Sequence, residues 1–268
     1  ASALEMITGK SGGLYGERFY SEARQDGSRR SARRILSWLL PMVAARSAAD
    51  VGCGTGTWLA VCRELGVNDV LGLDGPWVPR DRLAIPPECF KETDLRQPFA
   101  VPRRFDLALS LEVGEHLPQD CARGFIESLA KLAQVVLFSA AVPGQSGTGH
   151  VNEQWPAFWE ELFAECGFQA VDCVREQFWE DDAVEPWYIQ NALLYVQRSA
   201  LAQYPGLAAD ARVGSHVRAL VHPRLFLGRV AELSDARNYS LRRIIKVAPF
   251  LTWRALAMRV RKKTKALR

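Results

Sequence analysis

The segment Asp50-Val51-Gly52-Cys53-Gly54-Thr55-Gly56 constrains the fold more than any other stretch, because three glycines stand where an apolar run ends and a helical pattern begins. Glycine there lets the chain turn tightly and lets a ligand approach backbone N–H groups at a helix N-terminus. No Lys-Ser/Thr pair closes the loop, so it is not a phosphate-cradling P-loop, and Asp50 would repel a pyrophosphate placed beside it. The loop suits a ligand that carries positive charge.

From residue 46 onward, short β-rich runs alternate with helical patterns, the signature of βαβ units around a mostly parallel sheet in an α/β fold. Strands are expected at Ala48–Gly52, Asp69–Asp74, Cys89–Thr93, Phe105–Glu112 and Gln134–Ala140. The last two are apolar enough to be central strands buried on both faces. Helical spacing covers Ser28–Val43, Thr57–Leu65, Gln119–Leu132 and Asn152–Cys166, the last with Trp155, Phe158, Trp159, Leu162 and Phe163 on one stripe and Asn152 as a candidate N-cap. Phe168–Phe178 and Trp187–Gln197 read as two successive strands joined by an acidic loop, which predicts an antiparallel hairpin at the sheet edge. Residues 7–27, Gly-rich and aromatic, are expected to form a lid.

Two further acids stand at strand ends, Asp74 and Asp94. A carboxylate at the end of the second strand can accept both hydroxyls of a ribose. With these residues in place, the chain from about residue 46 to 198 resembles the class I S-adenosylmethionine (SAM)-dependent methyltransferases, whose first motif DVGCGTG matches closely. The resemblance implies a Rossmann-like, seven-stranded, mostly parallel sheet with an antiparallel terminal hairpin. It also implies a SAM site in which Asp50 faces the methionine ammonium, Gly52, Cys53, Gly54 and Gly56 pass beneath the cofactor, and Asp74 with Gly75 takes the ribose. Asp94 and Leu95 would meet the adenine, and Leu111 and Glu112 would complete the site from the fourth strand. The run Ser110-Leu111-Glu112-Val113-Gly114-Glu115-His116-Leu117 is similar to the acidic-His pattern of small-molecule members, although Gly114 replaces a bulkier residue.

Methyl transfer from a sulfonium asks the protein for proximity, alignment and, for a hydroxyl acceptor, a base. Of four histidines, His116 follows the fourth strand and His150 the fifth, both at the carboxyl edge where α/β sheets bind ligands. His150 is the candidate base or substrate contact, with His116 as its rival; Glu115, Asn152, Glu153 and Trp155 are the candidate substrate contacts, with orientation of the histidines as the alternative role of Glu115 and Glu153. No tight ligand spacing supports a metal. The chain lacks the Pro-Pro-Tyr/Phe motif of adenine and glutamine amino-group methyltransferases and the Pro-Cys nucleophile of cytosine C5 enzymes. Oxygen is the expected acceptor. The loop GTGHVNEQWPAFW resembles that of bacterial methyltransferases accompanying glycosyltransferases in surface-polysaccharide or natural-product assembly, which points to a sugar hydroxyl, or alternatively a natural-product hydroxyl.

Charge divides the chain. Residues 1–210 hold 19 Lys/Arg against 28 Asp/Glu, whereas residues 211–268 hold 15 against two, a net of +13. The expected organisation is an N-terminal lid and helix over 1–45, a SAM-binding domain over 46–198 and a basic helical extension over 199–268. In the extension, Leu241, Ile244, Ile245, Ala248, Leu251 and Ala255 recur at helical spacing among Arg242, Arg243, Lys246, Arg254 and Arg259. Residues 236–268 suit the surface of an anionic membrane, or packing on the core or in a homodimer; nucleic acid, and with it an RNA methyltransferase, is disfavoured for want of an RNA-binding module. Six unpaired-looking cysteines and no run of ~18 apolar residues point to a cytoplasmic enzyme, peripheral to the inner membrane face if the tail binds lipid.

Overall fold

The computed structural model of the chain describes residues 22–208 and 217–235, together with 241, 245–246, 248–250 and 252–254. The expected lid lies outside the described residues as far as residue 21, as does most of the basic segment 236–268. The chain divides into two units, Ala1–Leu225 and Phe226–Arg268.

In the first unit the sheet strands are β1 (Ser47–Val51), β2 (Asp69–Asp74), β3 (Phe90–Glu92), β4 (Leu107–Leu111), β5 (Val135–Ser139), β6 (Phe168–Val171) and β7 (Leu193–Gln197). They lie in the order β3-β2-β1-β4-β5-β7-β6. The first five are parallel, while β7 runs antiparallel to both β5 and β6. This is the seven-stranded, mostly parallel Rossmann-like sheet with its antiparallel pair. Chain order reverses between β1 and β4, and at such a switch point the strand ends part to leave a crevice.

Both faces of the sheet are covered, so the central strands alternate between two cores rather than between core and water. Ala48, Leu107, Leu109, Val135 and Leu137 point into one core, shared with α1 (Glu22–Val43), α2 (Thr57–Glu64), α5 (Cys173–Phe178) and α6 (Pro186–Asn191). Ala49, Val51, Ala108, Val136 and Phe138 point into the other, shared with α3 (Ala122–Leu132) and α4 (Pro156–Glu165). Burying each Leu or Phe side chain contributes about 1.5–3 kcal/mol. In the second core, Phe163 stacks on Tyr195 with ring centroids 3.8 Å apart.

Three expectations are corrected. The hairpin strands end early: β6 stops at Val171 and β7 starts at Leu193, with α5 and α6 between them. Cys173, Val174 and Phe178 are buried on α5, where Arg175 pairs with Asp172 across one turn, and Pro186 starts α6 with a pre-set φ and no need for an N–H partner. These dense apolar runs satisfy helical and strand periods alike. Similarly, α4 begins at Pro156 rather than Asn152, so Trp155 is left 43 % exposed at the N-cap. Asn152 is buried instead and donates a hydrogen bond to the Gly114 carbonyl. Finally, α1 begins at Glu22, earlier than the apolar spacing suggested, and carries Gln25 and Ser28 to the sheet edge.

The segment after β7 continues through a 3-10 turn, Arg198–Gln203, and the short helix α7 (Pro205–Ala208), where Leu207 is buried. Helix α8 (Pro223–Ser234) opens with a proline. Among the described residues of the second unit, Phe226, Leu227, Val230, Leu233, Leu241, Ile245, Phe250 and Trp253 are exposed. No described helix is long and apolar enough to cross a membrane.

Candidate active site

The glycine loop leaves β1 and enters α2 with Gly52, Gly54 and Gly56 at φ of +81°, +53° and +82°. L-residues with side chains rarely adopt this conformation. At Gly52 the space is closed as well, since a Cβ would lie 2.3 Å from Cγ2 of Val113. The Gly52 N–H is tied to the Leu73 carbonyl at 2.7 Å, while Asp74 accepts from the N–H of Gly54 and from that of Gly75, each at 2.7 Å. The end of β2 thus holds the loop after β1. From above, Gln25 of α1 donates to the Thr55 hydroxyl at 3.3 Å.

This loop forms one wall of a cavity of ≈340 Å³ at the carboxyl ends of β1 and β4. Asp50, Gly52, Cys53 and Gly54 line it on one side; Leu111, Glu112, Glu115, His116 and His150 line it on the other. Burial, reinforced by nearby Asp74, pushes the Asp50 carboxyl up to about 8. A buried acid of this kind is complemented by a cation, and a bare glycine turn beside it is a cradle for a backbone-hugging ligand. The pair fits the sulfonium and ammonium of SAM.

Other expected residues stand around the cavity rather than on its wall. Asp74 is buried, and its carboxyl is raised by desolvation despite bonds from Gly54, Gly75 and the Trp77 side chain. Trp77 also lies against Gly75, where a Cβ would meet its ring at 2.2 Å. Asp94 lies two residues past β3 and is paired with Arg96 at 2.8 Å, which holds its carboxyl below the usual range; Leu95 is buried in the second core.

On the opposite wall, Glu112 follows the last residue of β4 with a φ of +57°, left-handed without being glycine. Such backbone conformations persist where the surroundings over-determine them, often at functional sites. Asn191 donates to both Glu112 oxygens, at 3.1 and 3.3 Å, and Gln145 donates to one at 3.3 Å; Gln190 in turn donates to Gln145 at 2.8 Å. Burial still pushes Glu112 up to about 7 against these bonds. One turn on, Glu115 is fully buried with no hydrogen bond of normal geometry to either oxygen. Burial, the neighbouring Glu112 charge and a loose carboxyl–carboxyl hydrogen bond with Glu112 raise its carboxyl well above the usual range, and loose hydrogen bonds from the backbone at Glu115 and Ala141 offset this only in part.

The rings of His116 and His150 meet edge to face at 5.0 Å. His116 is pushed down to about 4 by burial and by His150, despite a bond to the Gly149 backbone. His150 holds the Glu153 carboxylate through Nδ1 at 2.9 Å. Burial would raise Glu153, but bonds from His150 and from the N–H groups of Gly144 and Ser146 hold it below the usual range. Sequence reasoning placed both histidines at this edge but missed Gln25, Ser28, Tyr188 and Asn191, which come to the site from helices distant in the chain, and Trp58, which enters from the helix that follows the glycine loop. No motif marks them.

The family model described as "Methyltransferase domain" matches residues 25–171, more than half of the chain. The chain belongs to this methyltransferase family. It is a class I SAM-dependent methyltransferase, as the glycine loop and the fold anticipated. Among solved structures, the sugar N-methyltransferase KedS8 from Streptoalloteichus sp ATCC 53650 is 18% identical over 70% of this chain and 94% of its own, with a TM-score of 0.51. DesVI from Streptomyces venezuelae is 18% identical over 67% of this chain and 95% of its own, at a TM-score of 0.49. The magnesium protoporphyrin IX methyltransferase ChlM from Synechocystis PCC 6803, solved with bound SAM, is 19% identical over 69% and 88%, at 0.48. No curated protein matches the chain in sequence.

Proposed function

We propose that this methyltransferase O-methylates a sugar hydroxyl of a glycan or glycoconjugate in surface-polysaccharide assembly. The observation that carries the reading is the His150–Glu153 bond of 2.9 Å in a polar loop that gives Gln145, Ser146, Gly147 and Thr148 to the cavity wall. A carboxylate on Nδ1 fixes the imidazole tautomer and leaves Nε2 to receive a hydroxyl proton. Gln145 and Thr148 supply the hydrogen-bonding partners that a polyol needs. SAM, when bound, supplies a methyl group already activated on a sulfonium. The protein's share is to hold the acceptor in line, to exclude water and to take the proton. Asp50, Gly52, Cys53, Gly54, Gly56, Asp74 and Glu112 serve the cofactor; His116, Glu115 and His150 face the acceptor. The likeness to a sugar N-methyltransferase agrees with a sugar acceptor in fold alone.

The tail serves location in the same proposal. Exposed Phe226, Leu227, Phe250 and Trp253 occur with Arg229, Lys246 and Arg254 in a segment of net charge +13 from residue 211. Apolar side chains entering a lipid interface beside cationic ones hold a cytoplasmic enzyme at an anionic surface, each basic residue contributing about 1 kcal/mol.

The test is transfer of labelled methyl from SAM into fractionated cell extract by the full chain. Label in lipid-linked glycan, stable to amide cleavage and released as an O-methyl sugar, is the expected result. Label confined to RNA or to non-sugar metabolites would overturn the assignment.

A further inference from the structure

We propose that Glu115, His116 and His150 form a binding site for a divalent cation of intermediate hardness, such as Mn²⁺, Co²⁺ or Zn²⁺. One potential ligand atom from each of the three lies within 4.8 Å of the others. That spacing lets a single ion reach a carboxylate oxygen and two imidazole nitrogens at ordinary bond lengths of about 2.0–2.2 Å after small side-chain adjustments. Two histidines and one carboxylate on one side of an ion leave further positions open toward a ligand.

Burial supplies the independent observation. Glu115 has no exposed surface, lines the cavity, and finds among the described residues no hydrogen-bond partner at normal geometry for either carboxylate oxygen, only looser approaches from the backbone at Glu115 and Ala141 and from the Glu112 carboxyl. An unpartnered buried carboxylate is costly unless a positive charge accompanies it. Glu112 adds a second acid at the same wall, whereas neither Arg nor Lys is among the described residues that line the cavity. A dication compensates both acids.

The surroundings of the histidines also suit ligands. Metal-bound histidine usually gives its other ring nitrogen to a carboxylate or a carbonyl, which fixes the ring and its tautomer. His150 has Glu153 at 2.9 Å on Nδ1, and the Gly149 backbone holds the His116 ring. Glu153 is itself held by the N–H groups of Gly144 and Ser146 at 2.8 and 2.7 Å, so the outer ring of the site is built as firmly as the inner one. The ion faces the acceptor end of the cavity, where an open position would take a hydroxyl oxygen and acidify it. That purpose rests on the hydroxyl-acceptor reading above and revises one part of it: with the ion bound, His150 is a ligand instead of the base, and the acidified hydroxyl loses its proton to water as its oxygen takes the methyl group. The site itself does not depend on which acceptor is used.

Mn²⁺ titrated into the full-length wild-type protein, with ring-labelled histidine followed by NMR, tests the site without altering the fold. The chain has four histidines. The signals assigned to His116 and His150 through single His→Gln variants should broaden first and most strongly, with the effect complete at one equivalent of Mn²⁺, and His222, joined to Glu112 through Gln190 and Gln145, should broaden less. Glu115→Gln and His150→Gln should abolish stoichiometric binding, and Glu153→Gln should weaken it about 10–100-fold. Absence of stoichiometric binding, broadening of a different pair, or undiminished Mn²⁺ affinity in Glu115→Gln and His150→Gln would overturn the proposal. Binding of Mn²⁺ together with label in a non-sugar product would sink only the acceptor assignment, and sugar O-methylation by a protein that binds no Mn²⁺ would sink only the site.

Discussion

The carboxylate of Asp74, at the end of the second strand, accepts a hydrogen bond from the backbone N–H of Gly54 at 2.7 Å. The acid assigned to the ribose therefore also fixes the glycine turn beneath the cofactor, and the two tasks are coupled. Asp74→Asn keeps the size but loses the charge on two backbone bonds. Hydrogen bonds to charged groups contribute about 1.5–3 kcal/mol, so SAM affinity should fall roughly 10–100-fold, with thermal stability reduced as well. Calorimetric titration and melting of the same variant check both effects; an unchanged melting temperature would separate the two roles.

Asp50 predicts a pH dependence of opposite sign for the free and the liganded protein. Its carboxyl rises from 3.8 to about 8 on folding, so between those values the native state binds a proton that the unfolded chain has released. Stability attributable to this group is fullest below about pH 4 and declines as pH rises to about 8. Denaturation of wild type and Asp50→Asn across that window should show the variant gaining relative stability with pH. A cationic cofactor favours the ionised acid, so wild-type SAM affinity should increase toward pH 8 with proton release, measurable in buffers of different ionisation enthalpy. In Asp50→Asn that proton release should vanish.

Gly114 stands where a bulkier residue was expected, and Trp159 explains it. A Cβ at Gly114 would lie 2.8 Å from Cη2 of Trp159, itself buried against Phe138 with ring centroids 5.1 Å apart. Overpacking a filled core costs about 1–3 kcal/mol, the loss expected for Gly114→Ala in urea denaturation. The double variant with Trp159→Phe should recover part of it. Strict additivity of the two losses would show that the residues do not share the space.

Gly52→Ala combines a φ of +81° with a Cβ 2.3 Å from Val113 Cγ2. Strain and clash act on the same turn, so SAM binding should be lost while the far-UV spectrum of the sheet is kept. Retained affinity would mean that the loop is not the cofactor's cradle.

For catalysis, His150→Gln should lower turnover about 10²–10⁴-fold with little change in SAM affinity, measured by single-turnover transfer once an acceptor is in hand. Glu153→Gln, which leaves the ring in place but alters its partner at 2.9 Å, should fall between that variant and wild type.

For the tail, deletion of residues 236–268 should release the enzyme from anionic vesicles and leave SAM binding intact. Sedimentation of the shortened chain with vesicles as efficiently as the full chain would refute recruitment by that segment.

How much of this was legible in the chain differs from element to element. The glycine turn, the strands β1 to β5 and the family could be read from residues 46–140 because they depend on neighbours in sequence: glycine where φ must be positive, and apolar runs where both faces are covered. Between Phe168 and Gln197 local pattern failed. Dense apolar residues fit either period, and only packing of Val174, Phe178 and Ile189 into the core shared with α1 and α2 selected helices there.

The sequence by itself thus determined a class I methyltransferase sheet and the glycine loop proposed to receive its cofactor. Tertiary structure alone decided what stands opposite that loop. Gln25, Glu115, His150, and the pair Tyr188 and Asn191 come from four separate segments, and no spacing records their meeting. They converge because the strand order reverses between β1 and β4 and α1 folds back over the opening, and such long-range contacts follow from how covered faces pack, not from any local signal.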